Sequence, residues 1–341
     1  MASFVWLSFI AFILLMLALD LGVFHKKEHV VSTREALRWT ALWVSLALTF
    51  NIAVYFLYEH NLFGIGQTVG HPLTGRQAAL QFATGYLLEE SLSLDNVFVI
   101  ALIFEYFAVP AIYQHRVLFW GILGVLITRG ALIAVGAVLI SKFSWTVYLF
   151  GGFLLFSAIQ MLRKKDEHPD PDHNPVIRLA RRLYPVAPGN HGSKFFVRID
   201  GKLAMTKLFP VLLLVESTDI VFALDSIPAI FGVTQDPFLV FTSNVFAVLG
   251  LRSLYFALAG LIREFHYLKF SLVMVLMFVG VKMLISQLLH ISAGISFGVI
   301  LGILGAGIVA SVIKRRREGD PPAKHPLEPA DAEAAPVSRD A

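Results

Sequence analysis

The sequence predicts an all-α fold: a polytopic membrane protein of about nine transmembrane helices that include two inverted three-helix repeats. Of its 341 residues, 57% are hydrophobic and only 15% are charged, whereas a soluble domain carries about 25% charged residues. Apolar runs of roughly 20 residues, the length that crosses a bilayer as a helix, recur along the chain. Two similar acidic motifs interrupt two of these runs, and they direct the search for function.

The predicted spans follow the apolar runs in order. The first run ends in "ALDLGVFHKK", which contains no small-residue cleavage site. We therefore interpret it as a retained helix and not as a signal peptide. The nine predicted spans are 3–24, 39–58, 78–107, 117–140, 145–162, 204–232, 238–262, 268–286 and 292–313.

These spans group into a simple predicted organisation. The C-terminal tail is rich in Pro, Ala and charged residues, a composition typical of disorder. The predicted segments are 1–60 with two N-terminal helices, 78–162 as repeat unit one, 163–203 as a basic cytoplasmic loop, 204–286 as repeat unit two, 292–313 as the last helix, and 314–341 as a basic and then disordered tail.

The basic residues predict the orientation in the membrane. They crowd both ends of 163–203 and recur in the run 314–317, and an excess of Lys and Arg marks cytoplasmic segments. An odd number of spans then places the N-terminus outside and the C-terminus in the cytoplasm. We expect a multi-pass protein of the bacterial inner membrane. The net charge of +4 does not indicate a nucleic-acid partner, because the basic residues lie in connections and in the tail.

Several chemistries are excluded or disfavoured. The chain has no cysteine, so disulfides, thiolate metal sites and a cysteine nucleophile are excluded. It contains no phosphate-binding Gly-Lys loop, which argues against ATP-driven transport. A Ser/His/Asp hydrolase would need a deep histidine near Ser91 or Ser226, and the sequence offers none. We therefore expect neither enzymatic activity nor a tightly bound cofactor.

An internal repeat accounts for two groups of three spans. Each group has an odd number of helices, so the two copies would enter the membrane from opposite sides. Such inverted repeats occur in many secondary transporters, whose binding sites lie near the midplane where the repeats meet. Chance similarity between apolar helices is the alternative. The aligned pairs are Asp95 with Asp219, Arg129 with Arg252 and Leu162 with Leu284, at offsets of 124, 123 and 122.

Acidic residues within the predicted spans are the most informative feature. An Asp at the centre of a membrane helix costs about 2.5–3.5 kcal/mol on insertion scales, so such residues are usually functional. Three cations at comparable depth, Arg129, Arg252 and Lys282, neutralise at most three acids. The others require protons, a bound metal cation or a water-filled cavity, unless they lie near an interface. The seven acids are Asp20, Glu89, Glu90, Asp95, Glu216, Asp219 and Asp225.

The neighbours of these acids indicate the kind of ion. Asn96 follows Asp95, and Ser226 follows Asp225. Carboxylate, amide, hydroxyl and carbonyl oxygens suit Mn²⁺, Mg²⁺ or Ca²⁺. Without cysteine and with few deep histidines, the chain suits Zn²⁺ or Cu⁺ poorly. The pattern therefore predicts a hard divalent cation that crosses the membrane, with protons exchanged through the same acids.

Four stretches, "LLEESLSLDNVFVI", "YQHRVLFWGILGVLITRG", "HGSKFFVRIDGK" and "VESTDIVFALDSIPAIF", resemble the TerC family of integral membrane proteins, and most closely its Alx-like branch. The resemblance implies manganese export, within a wider grouping of LysE-type exporters of cations and amino acids. The family name comes from an association with tellurium resistance. By position, Glu89, Asp95, Asn96, Glu216, Asp219, Asp225 and Ser226 match its two acidic motifs, whereas Glu90 stands where a less constrained, often basic residue is expected.

These observations lead to residue-level hypotheses. We expect Asp95, Asp219 and Asp225 to be primary metal ligands. Glu89 and Glu216 would be gating or proton-carrying acids. Asn96, Ser226 and Asn244 would be neutral donors to the metal. Arg129 and Arg252 would pair with the carboxylates when the site is empty. Asp20 and Lys282 would be supporting charges.

The resulting hypothesis is a secondary transporter that exports a hard divalent cation through an acidic midplane site. Mn²⁺ is the favoured substrate, with Ca²⁺ and Mg²⁺ as alternatives and protons as counter-ions. Besides the cation, the only partner that the sequence identifies is the lipid bilayer. Two other hypotheses stay open. One is a membrane scaffold of a metal or tellurite stress-response complex that docks through 163–203, and the other is an exporter of a small organic solute.

Overall fold

The computed structural model describes residues 2–19, 31–163, 174–189, 191–199, 201–258, 267–289 and 291–318, which are mainly helical. Within these residues, each of the nine predicted spans overlaps one helix, but 20–24 and 259–262 lie outside the described residues, and residues 204 and 205 belong to a strand. The helices are α1 (Ala2–Leu19), α2 (Thr33–Glu59), α3 (Ile65–Thr68), α4 (Gly75–Tyr106), α5 (Ala111–Lys142), α6 (Thr146–Arg163), α7 (Pro175–Leu183), α8 (Leu208–Phe231), α9 (Pro237–Leu258), α10 (Leu268–Leu284) and α11 (Ala293–Glu318), with a 3₁₀ turn at Leu62–Gly64; two strands, β1 (Phe196–Ile199) and β2 (Lys202–Met205), pair antiparallel.

Five helices are long and apolar enough to cross a membrane by themselves: α2, α5, α6, α9 and the part of α11 from Ala293 to Lys314. Helix α1 contributes a shorter apolar segment, and α10 has 17 residues. Helices α4 and α8 contain the two acidic motifs. A helical membrane protein is therefore confirmed, while the nine crossings stay a prediction.

Short polar side chains set where several helices begin. Thr74 accepts a hydrogen bond from the backbone of Gln77, whose side chain in turn accepts one from the backbone of Thr74, and this capping box starts α4. Asp236 accepts hydrogen bonds from the backbone nitrogens of Phe238 and Leu239 at 3.0 and 3.1 Å. It therefore caps α9, which begins at Pro237.

Four helices form the centre of the bundle, and they pack in two parallel pairs. Helix α4 lies along α9, with Gly85 against Ser243 and Glu90 near Gly250. Helix α5 lies along α8, with Gly124 against Glu216 and Gly136 against Phe231. The residue numbers rise together within each pair, so each pair runs in one direction. Helix α4 also packs on α8, and α5 on α9, so the two acidic helices meet inside the bundle.

Helices α6 and α10 form a close crossing beside this centre. A Cβ atom added to Gly151 would lie 3.0 Å from the carbonyl oxygen of Gly280, and the reverse distance is the same. Small residues allow helices in a membrane to approach in this way. The short glycine contact therefore fixes where these two helices cross.

The connection 163–203 has more structure than the predicted loop, although 164–173, 190 and 200 lie outside the described residues. It contains α7 and the hairpin of β1 with β2. Arg116, near the start of α5, donates to Ser193 Oγ at 3.1 Å and lies over the ring of Phe195 at 5.7 Å. Asn174 donates to Ser217 Oγ at 2.9 Å. The segment is thus attached to the end of the bundle where α5 and α8 begin. The predicted disordered tail after residue 318 lies outside the described residues.

Candidate functional site

The centre of the bundle contains a buried ionic network around Arg129 of α5. The guanidinium donates to Asp219 of α8 through two nitrogens, Nη2 to Oδ1 at 2.8 Å and Nε to Oδ2 at 3.0 Å. Nη1 forms an ion pair with Glu89 of α4 and lies 3.5 Å from Ser226 Oγ. One arginine therefore joins both acidic motifs, and all four side chains are buried.

A direct hydrogen bond also joins the two motifs. Asn96 Nδ2 of α4 donates to Asp219 Oδ1 of α8 at 2.9 Å. Asp219 thus accepts from Arg129 and from Asn96 on the same oxygen. A buried carboxylate is stable only when its charge and lone pairs are matched in this way. These groups meet because α8 packs on both α4 and α5, and Asp219 lies where it contacts Asn96 of α4 and Arg129 of α5.

Unsatisfied oxygens lie next to this network on α4. Glu89 Oε2, Ser93 Oγ and Asn96 Oδ1 are buried and have no hydrogen-bond partner in the described part of the chain. Their spacing of i, i+4 and i+7 places them along one face of α4. Both side-chain polar atoms of Asn244 on α9 are buried and unsatisfied as well. Buried polar atoms without partners are rare and require an explanation.

The remaining acids contact other neighbours. Glu216 lies against Gly124 of α5, where a Cβ atom would overlap its carboxyl group. Asp225 accepts a hydrogen bond from Ser157 of α6. Glu90 accepts one from Tyr86 at 2.8 Å. The predicted ligands therefore do not form one compact cluster.

The other predicted residues lie in three different settings. Asp95 is half-buried on α4. Arg252 of α9 is buried and lines a small cavity together with Asn96 and Asp219. Lys282 does not lie at the depth of Arg129, since it belongs to the last turn of α10. Asp20 lies outside the described residues.

The buried oxygen atoms of this site are suitable ligands for a cation, but the side chains do not surround a metal-binding position in this structure. Among the described residues, no three Asp, Glu or His side chains converge as a metal-binding cluster. Instead, the guanidinium of Arg129 occupies the position between Glu89 and Asp219. An incoming cation would need to compete with this guanidinium for the two carboxylates.

Three polar partners were not singled out by the sequence. Ser157 and Tyr86 look like ordinary small or amphipathic residues of apolar helices, and only the fold shows that they contact Asp225 and Glu90. The role of Asp236 as an N-cap could have been predicted from the sequence, because an Asp just before a Pro that begins a helix is typical of an N-cap.

Comparisons with known proteins find relatives along most of the chain. The chain is 50% identical over 311 residues to "Uncharacterized membrane protein STKORF319" of Myxococcus xanthus, covering 91% of this chain and 92% of that protein. It is 43% identical over 300 residues to "Putative membrane-bound redox modulator Alx" of Escherichia coli K12, covering 88% and 91%. A protein of Rickettsia bellii is 39% identical over 310 residues, covering 91% of this chain and 97% of that protein. No solved structure matches.

A family profile described as "Integral membrane protein TerC family" matches residues 74–319. The match includes both acidic motifs, the whole central bundle and the segment between α6 and α8. The chain therefore belongs to the TerC family of integral membrane proteins.

Proposed function

We propose that the protein is a secondary transporter of a hard divalent cation, with Mn²⁺ as the favoured substrate. The observation that carries this proposal is the row of three unsatisfied buried oxygens on α4, from Glu89, Ser93 and Asn96. They lie beside a carboxylate pair held by a single cation. Oxygen donors without hydrogen-bond partners are the groups that a hard cation would satisfy.

The charges are consistent with a divalent substrate. Glu89 and Asp219 carry two negative charges, and Arg129 supplies one positive charge. A dication between the two carboxylates would neutralise both and release the guanidinium. Arg129 would then act as an internal substitute that keeps the site neutralised after the metal leaves. A buried pair of carboxylates without any cation would be strongly destabilising.

The two motifs also suggest how the site could open to both sides. The predicted register aligned Asp95 with Asp219. The same register, of 124 and 123 residues, matches Arg129 with Arg252. In the structure, Arg129 pairs with Asp219 and also with Glu89. In this account the motifs are related by an inverted repeat, as in many secondary transporters.

This register gives the two arginines related roles. Arg252 matches Arg129 and lines a cavity with Asn96 and Asp219. In the alternative state of the transporter, Arg252 would take the position between the carboxylates that Arg129 holds here. The two arginines would thus exchange as the site opens to opposite sides, with protons as the expected counter-ions.

Cellular manganese tests the proposal. In a bacterial strain without its own manganese exporters, expression of the wild type should lower the manganese content of cells grown with excess Mn²⁺. Asp219→Asn and Asp95→Asn should abolish this effect. Glu105→Gln is the matched control, because Glu105 is an exposed acid of the same helix α4. The proposal fails if the two Asp variants lower manganese as well as the wild type and Glu105→Gln do.

A scaffold function is the second candidate, and the folded segment between α6 and α8 favours it. This segment carries α7 and a hairpin that are fixed to the bundle by Arg116 and Asn174. Relatives are named as membrane-bound redox modulators, but this chain has no cysteine to serve as a thiol switch. Replacing 174–199 by a short Gly/Ser linker should abolish a scaffold function while leaving manganese export measurable.

A further inference from the structure

A second polar cavity lies far from the Arg129 network, at the end of the bundle where α8 and α10 end and α4 and α11 begin. Its volume is about 580 Å³, within the range of about 300–1,000 Å³ that small-molecule sites occupy. Leu80, Phe231 and Val233 supply apolar walls. No acidic side chain lines it among the residues that the structure describes.

Two cations line this cavity. Arg76 lies in the first turn of α4, and Lys282 lies in the last turn of α10. Neither side chain makes an ion pair or a hydrogen bond with any other described residue. A half-buried lysine without a partner is costly, and it marks a place where an anion would be favourable. The cavity therefore carries two positive charges that the described residues do not balance.

The amides that line the cavity present hydrogen-bond donors. Gln77 Oε1 already accepts from the backbone nitrogen of Thr74 at 3.0 Å. Gln81 Oε1 accepts from Thr234 Oγ1 at 2.6 Å, and that hydroxyl itself accepts from the backbone of Asp236 at 3.1 Å. Both acceptor oxygens are thus used within the protein, which leaves the NH₂ groups for a ligand.

Backbone groups around the cavity also favour an anion over a cation. The first residues of α11, Ala293 and Gly294, border the cavity, as do Arg76 and Gln77 in the first turn of α4. The backbone nitrogens of Gly75, Gln77 and Ile295 already donate to side chains, so these helix ends contribute mainly the partial positive charge of a helix N-terminus. On the opposite wall, the last carbonyls of α10 are closed, since Val281 O accepts from Ile285 N at 3.0 Å. The polar lining therefore favours donors over acceptors.

We propose that this cavity binds a phosphate-bearing anion, either the headgroup of an anionic phospholipid or free phosphate. Arg76 and Lys282 would pair with the phosphate oxygens, and the amides of Gln77 and Gln81 would donate to them. Charged hydrogen bonds of this kind are among the strongest in proteins. The apolar walls would accommodate the glycerol and upper acyl region of a lipid. This inference is independent of the proposed cation transport.

The test uses the purified full-length protein. Lipid selectivity is measured in nanodiscs as retention of phosphatidylglycerol over phosphatidylcholine by native mass spectrometry, and inorganic phosphate binding is measured by calorimetry in phosphatidylcholine nanodiscs. The wild type is compared with the double variant Arg76→Gln/Lys282→Gln and with Gln81→Glu, which places an acid in the cavity. Lys142→Gln is the matched control, because Lys142 is an exposed cation at the end of α5.

We expect the double variant and Gln81→Glu each to weaken binding of the phosphate-bearing ligand about tenfold, as expected for losing a charged contact, with Lys142→Gln unchanged. Binding of inorganic phosphate would identify the free anion as the ligand, and selectivity for phosphatidylglycerol without phosphate binding would identify the headgroup. The inference is overturned if neither ligand binds the wild type, or if Lys142→Gln loses as much binding as the double variant. Size-exclusion profiles check that each variant is folded.

Discussion

Asn96 on α4 donates a hydrogen bond of 2.9 Å to Asp219 on α8, so a neutral residue of the first acidic motif contacts a carboxylate of the second. The other end of the same amide, Asn96 Oδ1, is buried without a hydrogen-bond partner in the described chain. This orientation leaves an oxygen, rather than an N–H group, without a partner, and the oxygen is the end of an amide that can bind a cation.

Arg129 should be essential for stability in the absence of metal. Arg129→Gln removes the cation between Glu89 and Asp219, and breaking a buried ion pair in this way costs about 3–5 kcal/mol. We expect a markedly lower thermal unfolding temperature in detergent. Lys142→Gln, at an exposed cation in the last turn of the same helix, should change it little. If Mn²⁺ replaces the guanidinium, Mn²⁺ should raise the unfolding temperature of Arg129→Gln more than that of the wild type. Equal shifts in the two proteins would contradict this account.

Gly124 should control the position of Glu216. In Gly124→Ala, the new methyl group would overlap the Glu216 carboxyl group, which must move. If Glu216 is a gating or proton-carrying acid, we expect Mn²⁺ transport to fall several-fold with little loss of folded protein. Gly152→Ala is the control, because a Cβ atom there has nothing within 4 Å. Normal transport by Gly124→Ala would show that the position of Glu216 is unimportant.

Asp236 should hold the ends of three segments together. It caps α9 and also accepts from Tyr58 Oη and from the backbone of His71, both at 2.8 Å. Asp236→Ala should lower the free energy of unfolding by about 1–3 kcal/mol or more, since several donors lose their partner. Tyr58→Phe should cost about 1 kcal/mol, because it removes one of these bonds. Unfolding in mixed micelles measures both, with Gln235→Ala as the exposed neighbour. Equal stability of Asp236→Ala and Gln235→Ala would refute the prediction.

The crossing of α6 and α10 should not tolerate side chains. Gly151→Val or Gly280→Val would force the helices apart, because even a methyl group lies 3.0 Å from the opposite carbonyl oxygen. Overpacking of this kind typically costs about 1–3 kcal/mol. Gly302→Val on α11 should be nearly neutral, since a Cβ atom there meets nothing within 4 Å. Thermal unfolding of the three variants tests the difference, and a similar loss in all three would count against a specific close crossing.

The apolar runs predicted the helices well, because the length and continuity of such runs are properties of single segments. The positions of Glu89, Asp95, Asp219 and Asp225 within helices were therefore also predictable. Arg129 and Arg252 were expected as partners of the carboxylates, but the acid that each arginine contacts was not predictable. Whether Arg129 or Arg252 holds Asp219 depends on which helix faces lie together, and this depends on contacts such as that of Gly124 with Glu216 rather than on local pattern.

A further feature needed the fold. Lys282 was predicted to be a deep cation because it falls inside an apolar run of the sequence. In the structure, α10 ends two residues after Lys282, which therefore lies beside a cavity at the end of the bundle.

Flux of Mn²⁺ into sealed, inside-out membrane vesicles shows whether the carboxylate pair held by Arg129 binds the transported cation. We expect saturable Mn²⁺ uptake by the wild type and by Glu105→Gln. Uptake should fall about tenfold or more in Asp219→Asn, which removes a buried charged ligand while keeping its shape. If Asp219→Asn vesicles take up Mn²⁺ at the wild-type rate, the carboxylate pair held by Arg129 is not the cation site.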